Sequence, residues 1–132
     1  MPISSLVSVS PILTPPSTQD ASKILREMGI AHENEKLVGH GYVVDIFIPP
    51  SALPASSWHR PPGFIGTVLE FDGPSHFESY LNAPLGPTVM KRRHLEALGY
   101  AVTSLPYWKY HLDDAVGQKQ KVLRDALSNA GR

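Results

Sequence analysis

The chain has 132 residues, 42% of them apolar and 18% charged, which is material for one packed domain and too hydrophobic for full disorder. No apolar run reaches the roughly 20 residues that a membrane-spanning helix needs, so no membrane partner is expected. With no cysteine, disulfides, thiolate nucleophiles and cysteine-ligated zinc are excluded. The balance of 12 basic and 12 acidic side chains hides a gradient: residues 1–82 carry 4 against 8, and residues 83–132 carry 8 against 4. Such a dipolar arrangement lets a neutral protein attract a polyanion locally.

Residues 1–17 are rich in Ser and Pro and carry no charge. They read as a flexible arm lacking the Arg-rich character of an organellar presequence, with the domain expected over 18–132. Capping side chains at Ser17–Asp20 precede Ile24, Leu25 and Met28, and Gly29 stops this first helix. Residues 30–38 and 42–48 read as two strands joined by a Gly-His-Gly turn at 39–41. Residues 49–63 contain five prolines along with Trp58, His59 and Arg60, the composition of a loop. A third strand over 64–71 ends at Asp72-Gly73-Pro74, and a loop follows to residue 85. Pro87 opens a helix that runs to Leu98 and stops at Gly99. Residues 100–105 form a fourth strand. A last helix over 113–129 places Leu112, Val116, Lys119, Leu123 and Ala126 or Leu127 on one stripe. The order α-β-β-β-α-β-α predicts an α/β fold.

Carboxylates are depleted in strands and costly to bury, yet the second and third strands contain Asp45, Glu70 and Asp72. Period-two alternation turns Asp45 away from Val44 and Ile46, and projects Glu70 and Asp72 together, opposite Leu69 and Phe71. Two explanations stand: ligation of a divalent ion such as Mg²⁺ or Mn²⁺, or pairing with Lys and Arg. At 100° per residue the helix over 87–98 gathers Met90, Lys91, His94, Leu95, Ala97 and Leu98 on one arc, with Arg92 and Arg93 exposed on the other side. Lys91 on that inward arc either counters the acids or extends its ammonium to water. Trp108 and Lys109 lie in an aromatic, basic run after the last strand. They offer base stacking and phosphate contact, or a packing anchor for the final helix. His76 and Phe77, after the Gly73-Pro74 turn, are further candidates to line the acidic site.

Three blocks carry a family resemblance: residues 70–77 (EFDGPSHF), 85–100 (LGPTVMKRRHLEALGY) and 106–108 (PYW), with Gly41–Ile46 fitting the preceding strand. Together they resemble the RAP domain, a family named for RNA binding and found in apicomplexan, plant, algal and animal organellar proteins. The likeness spans about residues 20–128. It implies a restriction-endonuclease-like, PD-(D/E)xK, three-layer core with a mixed sheet of about four strands flanked by helices. It also implies that Asp45 and Glu70 match that fold's metal-binding acids. Asp72 stands where nuclease members have Lys, with Lys91 as a migrated replacement.

The resemblance therefore implies an RNA-binding domain acting on rRNA or mRNA in organellar RNA processing, stability or ribosome assembly. The expected contacts are Lys91, Arg92, Arg93, Trp108 and Lys109, the expected protein partners are mitochondrial ribosomal or RNA-processing proteins, and the expected compartment is the mitochondrion or plastid. Two alternatives accompany it. One is a Mg²⁺- or Mn²⁺-dependent endonuclease using Asp45, Glu70, Asp72 and Lys91; the other is an inactive protein-docking module.

Overall fold

Pro16, rather than the polar side chains that follow it, opens the first helix. In the computed structural model, which describes residues 15–39, 41–53, 63–73 and 86–130, α1 spans Pro16–Glu27 behind Pro15, with no side-chain cap. Proline suits this position because its fixed φ is already helical and its missing N–H would have had no partner. Ser17 and Thr18, expected as caps, are thereby drawn into the helix, and Thr18 is buried. The first helix thus begins one residue before the expected caps. The rest of the expected arm, the Trp58-His59-Arg60 segment and residues 74–85, including His76 and Phe77, lie outside the described residues.

The strands β1 (Glu33–Val38) and β2 (Tyr42–Ile48) form an antiparallel hairpin whose register pairs Val38 with Tyr42 and Glu33 with Phe47. After a short 3-10 turn at Pro50–Ala52, β3 (Gly66–Asp72) pairs antiparallel to β2. The helix α2 (Gly86–Leu98) then crosses to β4 (Tyr100–Pro106), which runs parallel to β3 from Gly66 opposite Tyr100 to Asp72 opposite Pro106. The helix α3 (Val116–Ser128) closes the order. The result is a four-stranded mixed sheet, β1-β2-β3-β4, as the element order implied.

Strand alternation divides the core into two layers. On one face Ile46, Ile48, Leu69 and Leu105 pack against Ile24 and Leu25 of α1 and Leu123 and Leu127 of α3; on the other Val44, Phe47, Val68 and Val102 surround Leu95 of α2. The three-layer α/β architecture is therefore present. The stripe expected on α3 holds at Lys119, Leu123 and Leu127, which are buried. It fails at Leu112 and Val116, which are exposed, because the helix starts at Val116 and its first turn projects past the sheet.

Two glycines set the path into the parallel pair. Gly99 ends α2 at φ +110, and a Cβ there would lie 2.4 Å from the Gly63 carbonyl oxygen, whose neighbour Ile65 donates its N–H to the Gly99 oxygen. Gly66, at φ +145, admits the Phe47 ring where a Cβ would be only 2.3 Å away. Both positions need the absence of a side chain as well as a left-handed backbone.

Candidate functional site

The β2–β3 ladder is paired from Ile48↔Thr67 to Ile46↔Leu69, and beyond it carboxylates take backbone donors. The Asp45 N–H donates to Glu70 Oε2 at 2.8 Å and the Phe71 N–H to Asp45 Oδ2 at 2.7 Å. Val44 joins Phe47 on the α2 face although strict alternation would place it with Ile46, so the pleat breaks at Asp45. Across the hairpin, Asn34 pairs with Ile46 and Lys36 with Val44, which places Glu35 opposite Asp45. Glu35 has φ +51, a conformation rare for residues other than glycine. The acids that interrupt these strands therefore replace part of the ladder they disturb.

Among the described residues the cluster receives one cation, Lys91. Lys91 Nζ lies 2.6 Å from Glu70 Oε1 and 2.8 Å from the Val43 carbonyl oxygen, to both of which it donates. The two ionic side chains are only 27% and 12% exposed. Burial pushes the Glu70 carboxyl above the ordinary glutamate range, Asp45 beside it adds to the rise, and Lys91 offsets part of it. Glu35 is raised as well, by burial and by the charge of Asp45, again opposed by Lys91. Lys91 is thus turned inward against the acids, the first of its two expected orientations.

To deliver Lys91, α2 is rotated by roughly a quarter turn from the arc its apolar residues suggested. Its only buried residue is Leu95. Met90 and Leu98, expected to face the sheet, are exposed, and exposed His94 meets the Tyr42 hydroxyl at 2.5 Å through Nδ1. The inward face is instead built from Thr88, Lys91, Arg92 and Leu95, which line a cavity of about 50 Å³ with Glu70, Asp72, Val102 and Ser104. Arg92, expected on the outer face, is half-buried and reaches the Val102 carbonyl at 3.3 Å and Glu96 at 3.5 Å. Leu95 is the one buried residue of α2, and the ion pair and these hydrogen bonds lie on the same inward face.

The structure therefore brings Glu70, Asp72 and Lys91 around one cleft, as anticipated, and adds Arg92, Thr88 and Ser104. Asp45 lies beside it, with one carboxylate oxygen turned into the strand divergence. A cavity of this size has room for a water or two and none for a nucleotide. Of the expected metal ligands, Asp45 and Glu70 are engaged by donors of the chain itself. Both Glu70 oxygens and one Asp45 oxygen already accept hydrogen bonds, and no group of three or more His, Asp or Glu able to hold a metal forms among the described residues. Glu35 was not singled out from the sequence, although the hairpin register around Gly39–Gly41 places it opposite Asp45.

Of the other expected contacts, Lys109 and Trp108 follow β4, while Arg93 stays on α2. Arg93 is exposed on α2. Ser104 lines both the cleft with Lys91 and Arg92 and a groove on the other side with Lys109 and Asp125. Tyr107 and Trp108 are exposed and stack edge to face with ring centroids 5.1 Å apart. Tyr110, by contrast, is buried in the core cluster that holds Leu123 and Leu127 of α3, its ring against Phe71 and its hydroxyl donating to Asp20 at 2.7 Å.

Comparison with known proteins matches residues 69–125 to the RAP domain family. The chain is also 31% identical over 97 residues to a protein of Oryza sativa subsp. japonica named RAP domain-containing protein, chloroplastic. That alignment covers 73% of this chain and 13% of the relative, so the chain corresponds to a small part of the longer protein.

Proposed function

This chain belongs to the RAP domain family, and from that membership we propose that it is an RNA-associated organellar protein whose RNA contacts gather where β4 ends. The observation that carries this reading is the basic and aromatic surface there, with Arg92 and Lys109 on either side of Ser104. The exposed Tyr107–Trp108 pair follows the strand directly. Arginine and lysine supply phosphate contacts, and exposed aromatic rings supply stacking surfaces for unpaired bases. Lys91 is spent on Glu70, so Arg92, Arg93, Trp108 and Lys109 are the contacts we assign. The substrate class is single-stranded rRNA or mRNA, and the role is processing, stability or ribosome assembly in a mitochondrion or plastid, the latter being the compartment in the relative's name. No hydrolytic step is assigned to Asp45, Glu70 and Asp72: both Glu70 oxygens and one Asp45 oxygen are engaged by protein donors.

The test is fluorescence anisotropy with labelled single-stranded RNA on the 132-residue chain. Arg93→Glu combined with Lys109→Glu should weaken binding about tenfold or more at low salt, because two phosphate contacts become repulsive. Equal affinity and equal salt dependence in the double variant would overturn the assignment.

A further inference from the structure

The acid cluster contains its own cation. Lys91 Nζ sits between a Glu70 carboxylate oxygen and the Val43 carbonyl oxygen, two hard donors of the kind that coordinate Mg²⁺ or Mn²⁺. The other Glu70 oxygen and one Asp45 oxygen accept backbone N–H groups, and Glu35 lies close enough to feel both Asp45 and Lys91. We propose that Lys91 is a resident counter-cation that takes the position of a divalent ion where β1, β2 and β3 meet, locking α2 to the sheet and removing metal affinity from the cluster. The proposal stands on this geometry and is independent of the RNA reading.

Two physical arguments support the lock. An ammonium carried on the chain is always at hand, so the excess negative charge of Glu35, Asp45 and Glu70 is opposed without capturing an ion from solution. The ammonium also arrives on a helix whose apolar face is too weak to fix its rotation, since Leu95 alone is buried there. The pair thereby determines which side chains α2 presents. Arg92 and Arg93 follow Lys91 directly, so Lys91 is a positioning residue for them.

Mn²⁺ titration followed by amide relaxation in NMR, with thermal melting on the same samples, tests the lock in wild type, Lys91→Met and the Lys91→Met, Glu70→Gln double variant. Wild type should show no selective broadening at Val43–Ile46 or Glu70–Phe71 up to about 1 mM Mn²⁺, and no shift in Tm. Lys91→Met should melt about 5 °C lower or more, because a buried carboxylate loses its partner. It should also bind Mn²⁺ at least about tenfold more tightly, with broadening at those amides and partial recovery of Tm. The double variant should regain part of the lost Tm and lose the Mn²⁺ response. Selective broadening in wild type that Glu70→Gln abolishes would overturn the proposal in favour of a metal centre. A Lys91→Met protein as stable as wild type and indifferent to Mn²⁺ would overturn it as well. If Lys91→Met does not fold, recovery in the double variant supports the lock, and continued failure shows that Lys91 does not act through Glu70.

Discussion

Asp20 shows how one side chain ties separate elements together. From the first turns of α1 its carboxylate accepts the Tyr110 hydroxyl at 2.7 Å and the Lys119 ammonium at 2.9 Å, and Lys119 is only 8% exposed. Burial alone would raise the Asp20 pKa, but the hydrogen bonds from Lys119 and Tyr110 outweigh it and hold the group below the ordinary aspartate range. A depressed carboxylate contributes stability that is present above its unfolded pKa and lost as pH falls through the folded value. Asp20→Ala should therefore cost on the order of 2–4 kcal/mol at pH 7 by urea unfolding, since it strands a buried ammonium. It should also flatten the acid limb of the stability profile. Glu70 carries the opposite sign: its raised pKa makes its charge a penalty at neutral pH that is relieved as pH falls through the folded value. Carboxyl-carbon NMR should find Glu70 titrating above ordinary glutamates, and Lys91→Met should move it further up. Of these features the sequence shows the acids in the strands, but not which oxygen meets which donor.

Element by element, the least conventional part is α2, a helix that meets the sheet through one buried leucine and a set of polar contacts. Leu95→Ala removes its one buried anchor and should cost about 2–5 kcal/mol by urea unfolding. Met90→Ala, at a site 57% exposed, should change stability by less than about 0.5 kcal/mol. A reversal of that order would mean that α2 faces the sheet through its apolar arc after all. The helix itself was legible from Pro87 and Gly99, and so were the strands from their β-rich runs. Its rotation was not, because the hydrophobic arc misplaced Met90 and Leu98, and the partner that fixes Lys91 lies 21 residues earlier in the chain.

Across the described residues the fold partly closes the charge gradient along the sequence, because Lys91 and Lys119 of the basic half pair with Glu70 and Asp20 of the acidic half. The acid cluster sits at β1–β3, and β4 occupies an edge beside α2 and α3, which carry much of the basic second half. Among the described residues no helix is long and apolar enough to cross a membrane. On a chain with formal net charge +0, the proposed RNA binding is expected to depend on local contacts and on salt. For single-stranded RNA, Arg93→Ala with Lys109→Ala should reduce the slope of log K against log salt by about 1.4, the counterion release of two phosphate contacts. An unchanged slope would place the RNA elsewhere.

The order of elements, the α/β class and the family were determined by the sequence alone, because capping residues, strand runs and the blocks at 70–77 and 85–100 are local signals. Much of Glu70's pairing with Asp72 on one side of β3 was also local, a consequence of the two-residue strand period. Only the tertiary structure decided which partners the acids meet. That Glu70 meets Lys91 and that Asp45 and Glu70 take backbone donors depends on the break in the β2–β3 ladder and on the rotation of α2. Both are set by contacts between residues more than 20 positions apart, and no periodicity along the chain encodes them.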